Sequence, residues 1–174
     1  MDRQLRKKKI ITVIAGILLI GVYCMIFSFS ADDGESSSNL SMRVTRFLVH
    51  LYYSIVDSGT EGILIPEAAN AAEGTIRKLA HFTEYMAVGF LSYGIAVLWI
   101  KKLHRGFFIV VLQLVISAGL DELHQYFVPE RHASVKDVVL DTAGGIAGMI
   151  IILCVKGIKI RWNHTRKQKL KTCS

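Results

Sequence analysis

Charge is scarce in this 174-residue sequence: Asp, Glu, Lys and Arg make up 20% of it, below the roughly 25% of a typical soluble domain. Residues of the AVILMFWYC set supply 52% and the mean hydropathy is +0.41, which disfavours an ordinary water-soluble globule and excludes disorder. Cysteine is also rare, and three in such a length exclude a disulfide scaffold. Cys24 and Cys154 sit in apolar runs and Cys173 in a basic tail, without pairing or metal-ligand spacing, so they read as packing residues and a free thiol. No glycine repeat, internal repeat or nucleotide-binding glycine loop occurs. What remains is a membrane protein.

The net charge of +7 and pI near 9.4 matter through their placement. Arg3, Arg6, Lys7, Lys8 and Lys9 precede the first apolar run, Lys101, Lys102 and Arg105 separate the second from the third, and seven Lys and Arg from Lys156 to Lys171 follow the fourth. This is the asymmetry of membrane topology, not a nucleic-acid patch. Four spans are expected at about 10–30, 79–100, 106–128 and 138–155. The first holds 21 uncharged residues, enough at about 1.5 Å per residue to cross a hydrocarbon core of roughly 30 Å. It is long for the apolar region of a secretory signal. With both termini inside, the inner side holds 15 of the 21 Lys and Arg, while 13 of the 14 acidic residues fall in outer segments or outer halves of spans. The expectation is an all-α membrane protein, N-in and C-in, with a basic cytoplasmic N-terminus (1–9), a four-helix membrane domain (10–155) and a basic cytoplasmic tail (156–174).

The outer segment, 31–77, is too long for a simple turn. Leu40, Val44, Leu48, Leu51 and Ile55 recur at helical spacing, opposite Arg43, Arg46, His50, Tyr53 and Asp57. This predicts an amphipathic helix on the outer membrane surface or over the bundle. The serines at 36–38 read as a loop and cap region, and Gly59, Gly62 and Pro66 as irregular chain.

Ionisable residues inside spans cost roughly 2.5–3.5 kcal/mol each on insertion scales, and therefore usually pair or serve function. Here His81 and Glu84 fall in span two, Asp121, Glu122, His124 and Gln125 late in span three, and Asp141 early in span four. All lie in one layer of the outer leaflet by helical rise. Lys78, His81 and Tyr85 share a face, Asp121, His124 and Gln125 share another, and Asp137 and Asp141 are one turn apart. Ser134, three residues before Asp137, suits an N-cap with a first-turn acid. Arg131 can neutralise Asp121, Glu122 or Asp137, or hold an anionic ligand bidentately. Gly144 and Gly148 are in small-xxx-small register, which reads as close helix packing.

Three stretches together resemble the VanZ-like family of bacterial membrane proteins: Phe27-Ser28-Phe29-Ser30-Ala31; Arg77-Lys78 through His81, Phe82, Glu84 and Tyr85; and Asp121-Glu122-Leu123-His124-Gln125-Tyr126-Phe127 continuing through Arg131, Ser134, Asp137 and Gly144. The resemblance covers about residues 10–155, with Glu130 standing where the family often has glycine. It implies a cell-envelope protein that lowers susceptibility to the glycopeptide antibiotic teicoplanin, but no particular reaction.

Two functional readings stay open at this point. In one, the outer polar layer binds a ligand, either a lipid-linked envelope precursor or the lipoglycopeptide itself, with Lys78, Glu84, Tyr85, Gln125, Arg131, Asp137 and Asp141 as binding residues. In the other, a membrane-embedded hydrolase or transferase uses His81 or His124 as general base, oriented by Asp121 or Glu122. A divalent metal at His81, His124, Asp121 and Asp141 has no ligand motif such as HExxH behind it, so neither metal nor cofactor is assigned. Ion transport fits poorly with the almost wholly apolar inner halves of the spans. Membrane lipids are the expected partners and nucleic acid is not; the sequence leaves oligomeric state undetermined.

Overall fold

The computed structural model describes residues 2–31, 34–56, 61–129, 131 and 133–172, and among them five helices and no strand. They are α1 (Arg3–Ala31), α2 (Gly34–Val56), α3 (Glu61–Trp99), α4 (Leu103–Tyr126) and α5 (Val135–Thr172). Four segments are long and apolar enough to cross a membrane: α1, Pro66–Trp99 of α3, α4, and Val135–Ile158 of α5. Successive spans alternate in direction; α2 lies between the first and second, and short connections at 100–102 and 127–134 join the others.

α3 touches all four other helices, and its longest seam is with α5. Glycine makes that seam close. A Cβ added to Gly89 would meet the backbone of Gly145, one on Gly144 the backbone of Phe82, and one on Gly148 the backbone of Met86 and Phe90. Within lipid, where apolar side chains gain little by leaving their solvent, such backbone-to-backbone approach supplies much of the attraction between helices. Tyr85, Val88, Tyr93, Leu114 and Met149 fill the buried core. Apolar residues such as Ile17, Phe108, Leu112 and Val155 face outward, where lipid replaces water. Cys24 and Cys154 are free and exposed, so they do not pack inside the bundle as the sequence suggested; Cys173 lies outside the described residues.

Polar side chains also cross between helices. Gln113 Nε2 donates to Tyr23 Oη (2.9 Å) and Ser92 Oγ (3.0 Å), tying α1, α3 and α4 together. Ser92 and Gln113 thereby interrupt the half of the bundle read from sequence as almost wholly apolar. Further along, at the end of the bundle, Trp99 Nε1 donates to Thr12 Oγ1 (2.8 Å). That bond brings the basic residues before α1's apolar run to the end of the bundle that carries Lys101, Lys102 and Arg105.

The segment before the second span is more regular than its sequence implied. α2 begins at Gly34, so 36–38 are helical rather than looped, and Gly62 and Pro66 lie within α3. Proline there removes one backbone donor, but packing against α2 compensates. Ser41 Oγ donates to the Glu73 carboxylate, and Thr45 and Ala69 are fully buried. The face of α2 that packs runs from Ser41 and Thr45 to the half-buried Met42, Val49 and Tyr53. Val44, Leu48, Leu51 and Ile55, the stripe that marks this helix as amphipathic, are exposed. Gly59 and Asp57 lie outside the described residues.

Candidate functional site

The middle of α3, the end of α4 and the start of α5 converge at the end of the bundle opposite the Thr12–Trp99 contact. α3 contributes Lys78, His81 and Glu84, the last turns of α4 contribute Asp121, Glu122 and Gln125, and the first turns of α5 contribute Asp137 and Asp141. α5 starts here for a local reason: Ser134 Oγ accepts from Lys136 N–H (3.2 Å), and the Ser134 carbonyl receives the N–H of Asp137 (3.0 Å) and Val138 (3.2 Å). The Asp137 carboxylate then sits in the first turn, at the positive end of the helix. Glu122 joins α4 to this cap, because its Oε2 accepts the Ser134 N–H at 2.7 Å, a charge-assisted bond.

Between these segments lies a cleft of about 150 Å³ whose wall includes Lys78, His81, Glu122, Gln125, Asp137 and Asp141. Arg77 and Arg131 complete its cationic side. Arg77 and Lys78 are exposed, while Glu122 (6%) and Asp141 (2%) are buried, so cations stand at the mouth and carboxylates at the floor. Lys78 Nζ pairs with Asp137 Oδ1 at 3.0 Å. His81 Nδ1 lies 3.4 Å from Glu84 Oε2. Asp121 Oδ2 accepts from Gln125 Nε2 (3.0 Å), which also reaches Ser30 Oγ of α1 (3.2 Å). One His/Asp group among the described residues has ligand-type geometry: single donor atoms of His81, Asp121 and Asp141 all lie within 4.8 Å of one another.

The family model described as VanZ/LLP1 matches residues 15–156, from α1 into α5 and across the whole cleft. The chain belongs to the VanZ/LLP1 family. No curated protein and no solved structure matches it. It is thus a VanZ/LLP1-family protein with four helices able to span a membrane.

Within this VanZ/LLP1 bundle, the Phe27–Ser30 stretch is where α1 meets the site. The Phe27 ring stacks on His124 with centroids 4.8 Å apart, the Phe29 carbonyl accepts from Arg131 Nη2 (2.7 Å), and Ser30 holds Gln125. Arg131 thereby closes one of the carbonyls left open at the end of α1. Glu130 lies outside the described residues.

Two of the residues singled out from sequence face elsewhere. His124 and the fully buried Tyr85 border a second, mostly apolar cleft of about 350 Å³ between α1, α3 and α4, walled also by Tyr23, Ile26, Phe27 and Leu120. Asp121 borders this apolar cleft too, yet its carboxylate reaches His81 and Asp141 on the polar side. Of the two histidines, His81 is the one placed with the buried aspartates. Sequence reasoning did not single out Arg77 or Ser30 as site residues. Arg77 was legible as the neighbour of Lys78, whereas Ser30, named in sequence only as part of the resembling Phe27–Ala31 stretch, joins the site through a contact 95 residues away in the chain.

Proposed function

We propose that this protein sits N-in and C-in in the bacterial cell membrane, binds the anionic head of a lipid-anchored ligand in the polar cleft, and so lowers susceptibility to teicoplanin. The observation that carries the reading is the cleft itself, with exposed Arg77 and Lys78 above a floor of half-buried His81 and buried Glu122 and Asp141. Cationic side chains at a membrane boundary attract phosphate or carboxylate groups, and the adjoining apolar cleft suits the hydrocarbon part of the same molecule. Support for the orientation comes from the basic clusters at the opposite end of the bundle. In this orientation the exposed stripe Val44, Leu48, Leu51 and Ile55 of α2 lies in the outer membrane interface, with Arg43 and Arg46 toward the headgroups. The ligand class is a lipid-linked envelope precursor or the lipoglycopeptide itself, with membrane lipids as the surrounding partners.

The test is teicoplanin susceptibility of a sensitive Gram-positive host carrying an empty vector, the wild-type chain, or Lys78→Glu or His81→Ala at matched membrane levels. Protection by the wild type that both variants lose is expected; an unprotected wild-type strain would overturn the resistance reading.

A second reading, a membrane-embedded hydrolase or transferase on a lipid-linked envelope substrate, is favoured by one observation. His81 faces Glu84 at 3.4 Å beside buried carboxylates, the arrangement of an oriented general base. Release of product from a labelled lipid-linked precursor, lost in His81→Ala, would select it over binding alone.

A further inference from the structure

Asp141 is the most deeply buried carboxylate in the cleft, with 2% of its surface exposed, and its Oδ1 has no hydrogen-bond donor among the described residues. A buried carboxylate left in this state destabilises the fold unless something else satisfies it. Asp121, 8% exposed, brings a second carboxylate to the same point from α4, and His81 brings an imidazole from α3, with the three donor atoms mutually within 4.8 Å. Two carboxylates and one neutral imidazole carry a charge that one divalent cation balances.

We propose that His81, Asp121 and Asp141 bind one divalent transition-metal ion, leaving its remaining coordination positions for water or for an anionic oxygen of the ligand in the cleft. Around a first-row ion with bonds of roughly 2.0–2.2 Å, adjacent ligand atoms lie about 3–3.5 Å apart. Closing the present triangle onto an ion thus asks for about 1.5 Å of movement at its widest side, within reach of side-chain rotation. The surroundings resemble the outer shell of a metal site. Gln125 Nε2 holds Asp121 Oδ2 at 3.0 Å, and the Glu84 carboxylate stands 3.4 Å from His81 Nδ1, a second acidic group beside the imidazole. Mixed imidazole and carboxylate donors suit Zn²⁺ or Mn²⁺ better than the all-oxygen environment that Mg²⁺ and Ca²⁺ favour. Three protein ligands are the number found where a zinc ion keeps an open position.

The inference rests on the binding reading above only for what the ion goes on to hold, so its test uses metal alone. The intact chain, purified in mild detergent with any polyhistidine tag removed, is dialysed against Zn²⁺ or Mn²⁺ and its bound metal counted. Visible absorption of Co²⁺ then reports the ligand field. About one equivalent per chain is expected, with affinity at least tenfold weaker in Asp141→Asn and His81→Gln and unchanged in Glu73→Gln, whose carboxylate serves the α2–α3 contact. Metal should raise the unfolding temperature of the wild type and leave that of Asp141→Asn where it was. Folded wild-type protein that takes up no stoichiometric metal would overturn the proposal, as would undiminished affinity in Asp141→Asn and His81→Gln. A variant that fails to fold is replaced by Asp121→Asn, and the wild-type count decides in any case. Metal binding without teicoplanin protection would sink the resistance reading alone, and protection without metal binding would sink this one alone.

Discussion

Gly148 offers a measurement of what holds α3 against α5. It lies two turns beyond Asp141, and a Cβ at this position would stand 2.7 Å from the Phe90 nitrogen, 3.0 Å from the Met86 carbonyl carbon, and closer still to that carbonyl's oxygen. Carbon–oxygen contacts of this kind normally begin near 3.3 Å, so Gly148→Ala must part the two backbones by roughly 1 Å. Backbone cannot rotate out of the way as a side chain would. Overpacking of this sort costs about 1–3 kcal/mol, offset by as much as about 1 kcal/mol of improved helix propensity, which leaves a net loss of ~1–2 kcal/mol. Gly94→Ala is the internal control. Its Cβ would meet only Ile152 Cδ1 at 3.9 Å, an ordinary contact, so the propensity gain alone should appear. Both variants are titrated from mild detergent into SDS in a Trp162→Phe background, where Trp99, bonded to Thr12, reports separation of α1 from α3. The Gly148→Ala midpoint should fall below wild type and that of Gly94→Ala should not. Equal midpoints for the two variants would refute the close-approach account of the seam.

The Ser30–Gln125–Asp121 chain should behave as a coupled unit. A double-mutant cycle of Ser30→Ala and Gln125→Leu, read by the same SDS titration, is expected to return a coupling of ~0.5–1.5 kcal/mol, the range for interhelical hydrogen bonds in membranes; additive effects would mean that the bond contributes nothing. Orientation is tested by single cysteines at Ala133 and Lys101 in a chain whose three native cysteines are serine. A membrane-impermeant maleimide applied to intact cells should label Ala133→Cys directly and Lys101→Cys only after permeabilisation, and the reverse pattern would invert the proposed topology.

Hydrophobic runs and the charges that bound them were enough to find four spans, because crossing a membrane requires a helix long and apolar enough to cover the hydrocarbon core. Periodicity found α2 as well, from Val44, Leu48, Leu51 and Ile55. It did not show which face would pack: that face is Ser41, Thr45 and the half-buried Met42, Val49 and Tyr53, with Ser41 bonded to Glu73 of α3. The start of α3 was hidden for a related reason, with Gly62 and Pro66 signalling irregular chain while contacts to α2 from Ala69 and Glu73 keep it helical.

The polar layer was legible residue by residue, since ionisable groups at one depth in apolar helices stand out. Which of them meet was not. His81 and His124 carry equivalent signals in sequence, each one turn from an acidic residue. Helix rotation sends His81 toward Asp121 and Asp141 and turns His124 onto Phe27. For α3 against α5 that rotation is set where the Gly144 and Gly148 backbones rest on Phe82 and Met86, and α4 meets the same seam where Leu114 lies on Gly145. By itself, then, the sequence determined the number of helices able to span a membrane and which polar residues interrupt them, because both follow from transfer of individual residues between water and lipid. The tertiary structure alone decided which side chains share the cleft, because that depends on how helices distant in the chain pack.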